Sequence, residues 1–248
     1  MGGEPRLTAG GPNSVAAGAC ENDDVRMSSP RTETAPHAVT TSSAETAPHG
    51  ATAPPAPPVD ALIVVDVQSA FVTGDGAVPA AERLVDRTTD LIARARRDGA
   101  LVVHLQNDGP PGAEDEPHTP GWELHHPVEP GPRETVIRKP YDDGFEETAL
   151  GVVLADAGVR AVAVCGVMSE MCVHATARTA LARGYRVVVP HDAHATQDVP
   201  AVPGVSEAVP AAVVSRVAAY ALGSDAEVTV RAADVTFTKP AGERWLSP

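Results

Sequence analysis

From Ala61 onward the apolar residues follow two alternating patterns. Ala61–Asp66 (ALIVVD) is a short, continuous apolar run, as a strand shows when both faces of a parallel sheet are covered, and it ends on a carboxylate. After Glu82 the period changes. Leu84, Val85, Leu91, Ile92 and Ala95 share one helical face up to Asp98-Gly99, and Leu101–Leu105 is apolar again. The phrase of helical segment, glycine and β-rich run recurs at Gly158 before Ala161–Cys165, at Gly184 before Arg186–Val189 and at Gly223 before Glu227–Val230. Glycine suits the position just past a helix because it enters the left-handed conformation without a Cβ clash. With a further strand at Thr135–Arg138, this alternation predicts an α/β fold of three layers, α/β/α, around a mostly parallel sheet.

Two stretches break the rhythm. Asn107–Arg133 carries seven prolines, the pairs Gly121-Trp122 and His125-His126, and no clear period. A loop of this length in a compact domain is a lid or a substrate wall, or else a surface insertion packed by Trp122. Residues 1–58 hold nine prolines, no aromatic and only six apolar residues larger than Ala. So few apolar side chains do not offset about 1–2 kcal/mol of backbone entropy per residue, so a disordered tail is expected there, with one folded domain over 59–248.

Charge narrows the partners. Of the net −14, −4 falls on residues 1–60 and −10 on the remainder, which disfavours nucleic acid and anionic membrane. No apolar run reaches the length of a bilayer span, and no basic-then-apolar leader opens the chain, so a cytoplasmic location is expected. Cys20, Cys165 and Cys172 have neither disulfide-scaffold nor zinc spacing.

In open parallel sheets, ligands bind beyond the carboxyl ends of the strands. The polar residues Asp66, Gln68, Asn107, Asp108, Lys139, Tyr141, His191 and His194 follow strand ends and therefore gather at one rim. Cys172 comes shortly after Ala161–Cys165, near the start of a helix whose apolar face is Val173, Ala177, Ala180 and Leu181. Unpaired N–H groups of a first turn favour thiolate, so Cys172 is either a nucleophile that alkylates below the usual thiol range or a small core residue. Cys165, inside its strand, reads as core. Asp66 is a base, a ribose-binding carboxylate or a cap; no Gly-x-Gly-x-x-Gly follows its strand, which weakens the dinucleotide option. Lys139 is a surface charge or a lysine enclosed by Pro140 and Phe145. His191 and His194 stand i,i+3 in a loop, where a solvated or loop-capping role is expected.

Taken together, Asp66, Lys139 and Cys172 resemble the catalytic triad of the isochorismatase-like cysteine hydrolases. The resemblance covers nearly all of 61–196 and rests on ALIVVDVQSAFV, on VIRKPYDDGFEETAL and above all on AVCGVMSEMCVHATARTALARGYRVVVPHDAHAT. It implies a six-stranded sheet, a non-prolyl cis peptide at Val167–Met168, and hydrolysis of a C–N bond through a thioester on Cys172. Asp66 would carry the proton, Lys139 would stabilise charge, and the backbone N–H groups of Met168 and Cys172 would form the oxyanion hole. Gln68, Phe71, Asn107, Trp122 and Tyr141 are the candidate substrate contacts on the rim and wall. Nicotinamidases of this family hold a metal through an Asp-x-His after the second strand, whereas this chain reads His104-Leu105-Gln106-Asn107-Asp108; no metal and no other cofactor is expected. True isochorismatases lack the cysteine, so Cys172 favours amide chemistry. The run from Gly166 to Thr196 is similar to the branch that includes the streptothricin hydrolases, which implies a lactam amide in a cationic small molecule, and an acidic domain agrees with a cation. Other small amides, carbamoyl compounds and a non-catalytic binding module are the alternatives. The resemblance also implies a homodimer or homotetramer.

Overall fold

The computed structural model describes residues 57–129 and 131–242. Six strands form one sheet: β1 (Ala61–Val65), β2 (Leu101–Asn107), β3 (Glu134–Lys139), β4 (Ala161–Gly166), β5 (Arg186–Val188) and β6 (Ala226–Glu227), in the order β3-β2-β1-β4-β5-β6. Every pairing is parallel. The central strand β1 is flanked on both sides, with Ile63 opposite Val103 and Val164.

Alternation along β1 explains its unbroken apolar sequence. Leu62 and Val64 pack on one face with Leu84, Leu91, Ile92 and Ala95 of the long helix α2 (Ala81–Asp98), which follows the single turn α1 (Ser69–Val72). Ala61, Ile63 and Val65 pack on the other face with Leu150 and Leu154 of α3 (Leu150–Asp156) and with Val173, Ala177 and Ala180 at and inside α4 (His174–Ala182). Each face is a separate core cluster, so a polar residue at any interior position of β1 would be buried without a partner. Helix α2 stops at Gly99, which has φ 77° and returns its N–H to Ala95 and Arg96. The fifth helix, α5, spans Ala211–Tyr220.

One expectation needs correction. The last strand was placed at Glu227–Val230, but pairing covers only Ala226–Glu227 against Val187–Val188. Pro190 has no N–H with which to extend the ladder, and the Val230 carbonyl is taken instead by His191 N–H at 3.0 Å. The parallel six-stranded sheet itself is as expected.

The proline-rich interval between β2 and β3 is anchored against the residues that follow β1. Ser69 and Ala70 donate to the Glu123 and Gly121 carbonyls at 2.9 Å, and His125 donates to Val67 at 2.9 Å. Segment 121–125 thus lies along segment 67–70 as a wall, and buried His126 meets Thr88 Oγ1 at 2.6 Å beneath it. The tail expectation for 1–58 falls outside the described residues except at Pro57 and Pro58, whose carbonyls accept hydrogen bonds from Arg186. Among the described residues no helix is long and apolar enough to cross a membrane.

Candidate active site

Three strand ends supply the chemistry. Asp66 follows β1 in a left-handed conformation, φ 49°, with its N–H held by Leu105 and its carbonyl by Gln68 N–H. Lys139 ends β3. Beyond β4, Gly166 has φ 121°, and a Cβ there would stand 2.0 Å from the Val65 carbonyl oxygen, so only glycine lets the chain turn this close to β1. The Val167–Met168 peptide that follows is cis, and Cys172 lies in the π-helical turn Ser169–Val173. The Met168 carbonyl accepts from both Met171 and Val173, and Ser169 N–H donates to Ala195, so this turn is fixed at both ends.

Lys139 is the hub. Its Nζ stands 2.8 Å from Asp66 Oδ2, 3.3 Å from Cys172 Sγ, 3.1 Å from the Tyr141 carbonyl and 3.3 Å from Asn107 Oδ1. All three triad members are buried, Lys139 completely, Asp66 at 2% exposure and Cys172 at 8%. The lysine and the carboxylate form a close, buried ion pair. Burial makes the carboxylate a better proton acceptor than one in water.

Electrostatics follow from that burial. Desolvation raises Asp66 to about 6, against the opposing pull of Lys139. Burial works to lower Lys139, but the charges of Asp66 and Cys172 outweigh it and hold the ammonium above its ordinary range. Burial, then the neighbouring Asp66 charge, pushes the Cys172 thiol up despite Lys139. This corrects the expectation of an acidic thiol at a helix start. Cys172 sits inside a buried π turn beside a carboxylate, so desolvation outweighs the helix end. The resting pair is thiol and carboxylate, with Lys139 placed to hold the charge whichever of them carries it.

Asp142 was not among the sequence candidates. Its Oδ1 stands 3.6 Å from Cys172 Sγ, on an exposed residue just outside the buried triad. The doubled acid after Lys139-Pro140-Tyr141 is the signal that was available.

The candidate substrate contacts separate. Gln68 is fully buried; its Nε2 donates to the Asn107 and Trp122 carbonyls and its Oε1 accepts Asn107 N–H. That amide braces the wall and has no hydrogen left for a substrate, which corrects its assignment. Asn107 adjoins the hub through Lys139 and is held by Asp115 at 2.7 Å. Trp122 donates its indole N–H to Asp108 at 2.9 Å and lies under the Arg138 guanidinium, so its ring is fixed within the wall. Phe71 packs, half-buried, against the same core cluster as Met168. Tyr141 is 42% exposed beside Asp142.

His194 also departs from expectation. It is buried, with Nδ1 2.8 Å from Ser169 Oγ, because the segment after β5 runs parallel to the end of β4 and pairs His194 with Gly166. His191 is exposed. Among the described residues no group of three or more His, Cys, Asp or Glu is placed to share a metal. The positions at the end of β2 and just beyond it are already committed: Gln106 to Trp122, Asn107 to Asp115, and Asp108 to Trp122 and Arg138.

Comparison with known proteins assigns the fold and its lineage. The isochorismatase domain matches residues 60–210, spanning all three triad positions. The chain belongs to the isochorismatase family. Within that family it is 67% identical over 180 residues to a streptothricin hydrolase of Streptomyces noursei, covering 73% of this chain and 71% of that protein. A cysteine hydrolase from Pseudomonas syringae pv. phaseolicola superposes with a TM-score of 0.63 at 27% identity, over 73% of this chain and 92% of the other. N-carbamoylsarcosine amidase from Thermoplasma acidophilum gives 0.57 at 27% identity, over 69% and 95%.

Proposed function

We propose that this protein is a cysteine hydrolase that opens the lactam amide of streptothricin-type antibiotics. The observation that carries the reading is the Lys139 ammonium held within 2.8 Å of Asp66 and 3.3 Å of Cys172 in a buried site. Such a cation stabilises either the carboxylate or the thiolate, so a proton passes between them without net charge moving into the core.

In the reaction, Asp66 takes the Cys172 proton as sulfur attacks the lactam carbonyl. The carbonyl π electrons move to oxygen, and the N–H groups of Met168 and Cys172 receive the oxyanion, an arrangement typically worth about 3–4 kcal/mol per donor. Collapse breaks the C–N bond, Asp66 returns its proton to the leaving nitrogen, and an acyl thioester remains on Cys172. Water, deprotonated by Asp66, then attacks the thioester, releasing a carboxylic acid and restoring the thiol. Asp142, at the outer side of the nucleophile, favours a substrate that brings positive charge near the scissile bond. The likeness to the Streptomyces noursei streptothricin hydrolase supports the substrate.

Incubation with streptothricin, followed by mass spectrometry, tests this directly. Gain of one water by the antibiotic, absent with Cys172→Ala, is the expected result; an unchanged antibiotic removes the substrate assignment. The structural likeness to N-carbamoylsarcosine amidase favours a small carbamoyl compound as the second reading, to be assayed by ammonia release.

A further inference from the structure

A second polar cavity lies apart from the triad. A cleft of about 380 Å³ is bounded by α2, the segment after β5 and α5, and its donors are Arg83, Arg216, His191, His194, Ser215 and Thr229. None of these residues belongs to the triad or the wall. Arg83 and Arg216 are exposed cations, and Arg216 is propped over the Tyr220 ring at 5.5 Å. The acid at this end of the loop, Asp192, is already committed, with Oδ2 on Arg87 at 3.1 Å and Oδ1 on Ala232 N–H at 2.7 Å. Among the described residues no acid is paired with Arg83 or Arg216, and the cleft lining is net positive.

His194 provides the independent observation. It is 3% exposed, yet its Nε2 meets no hydrogen-bond partner among the described residues. Burial keeps the imidazole neutral, drawn down to about 4, so only one ring nitrogen carries hydrogen. Ser215 Oγ lies 2.9 Å from Ser169 Oγ, which lies 2.8 Å from Nδ1. The chain can run in two directions, and the one in which Ser215 donates to Ser169 and Ser169 donates to Nδ1 puts the hydrogen on Nε2. A buried donor without an acceptor is uncommon in a folded protein, and a bound acceptor is one explanation for it.

We propose that this cleft binds a phosphate-bearing small molecule. Two guanidiniums, the imidazole N–H groups of His191 and His194 and the Thr229 hydroxyl outnumber what the two oxygens of a carboxylate accept, and they suit a dianion with three free oxygens. The volume exceeds that of phosphate alone and the lining includes Val228, so the phosphate is expected to carry an organic group. Because Ser169 lies between Met168 and Cys172, the bound anion adjoins the catalytic turn through one hydrogen-bonded chain. The inference stands whatever amide the enzyme opens.

The test is titration calorimetry of the full-length protein with inorganic phosphate, phenyl phosphate and benzoate, repeated on Arg83→Ala/Arg216→Ala. Wild type is expected to bind inorganic phosphate and to bind phenyl phosphate more tightly. The double variant, folded by circular dichroism and with basal turnover retained, is expected to lose about tenfold or more in affinity for both. His194→Phe, which removes the buried donor, is expected to weaken both as well. Absence of phosphate binding by wild type, or equal binding by wild type and the double variant, overturns the site. Benzoate binding as tightly as phenyl phosphate overturns the phosphate assignment.

Discussion

Asp66→Asn is expected to make the protein more stable while abolishing turnover. Asn has the shape of the protonated acid, and burial favours that acid, raising its pKa from an ordinary 3.8 to about 6. Since the folded value lies above the unfolded one, the stabilising contribution is complete below about pH 3.8 and is lost as pH rises through about 6. At about 1.4 kcal/mol per pH unit across that window, wild type forfeits about 3 kcal/mol by pH 7.5, and about 1 kcal/mol near pH 4.5. The uncharged variant forfeits neither. Its buried Lys139 keeps the Tyr141 carbonyl and Asn107 as acceptors. For a domain of this size, 3 kcal/mol raises Tm by about 6–12 °C.

The assay is urea unfolding of both proteins at the two pH values. Other carboxylates titrate alike in both, so the change in the stability gap isolates Asp66. A variant no more stable than wild type at pH 7.5, or a gap of the same size at both, would refute the reasoning. The same burial predicts that wild-type kcat/KM climbs through about pH 6, because the carboxylate must be ionised to accept the thiol proton.

Cys172→Ala is expected to lose all turnover yet unfold within about 1 kcal/mol of wild type, as denaturation will report, since only one sulfur leaves a site at the edge of the core. Lys139→Ala is expected to cut turnover at least about 100-fold and to move iodoacetamide alkylation of Cys172 to higher pH, because Lys139 is the cation that opposes the rise of the thiol. Asp142→Asn is expected to move the same alkylation profile the other way, since its charge pushes the thiol up, and to raise KM for a cationic substrate. Exhaustive chelation is expected to leave turnover unchanged, measured against an enzyme re-supplied with zinc; activity lost and then restored by the metal contradicts the committed side chains at the end of β2 and just beyond it.

How much of this was legible depended on whether a residue's partners are set locally. The strand at Ala61 could be read because burial on both faces imposes an apolar residue at every position, and the stop of α2 because Gly99 carries its own φ. The chemistry-bearing rim followed from strand ends alone. The role of Gln68 did not, since its three hydrogen bonds run to Asn107 and Trp122, 39 and 54 residues away. For His194 a solvated or loop-capping role is the expectation because nothing near it in sequence says that Ser169 will lie against it. The thiol was misjudged for a related reason. A helix start is a local feature, whereas the desolvation and the Asp66 charge that dominate Cys172 come from packing.

The triad itself shows why sequence spacing is silent about it. Residues 66, 139 and 172 follow β1, β3 and β4, and β2 stands between β3 and β1. Two strand intervals separate Lys139 from Asp66 at the backbone, about 10 Å, so only a long side chain laid across the end of β2 closes the gap. Asn107, paired with Lys139 at that end, supplies an acceptor along the way. An ammonium on a flexible stem serves here better than a guanidinium, whose planar fork would bind the carboxylate in two directed hydrogen bonds and hold it ionised. Burial outweighs the pull of Lys139 and leaves Asp66 basic, near 6 rather than well below 4. A carboxylate so placed costs stability at neutral pH, and in the proposed reaction that same basicity lets it take a proton from sulfur and give it to nitrogen.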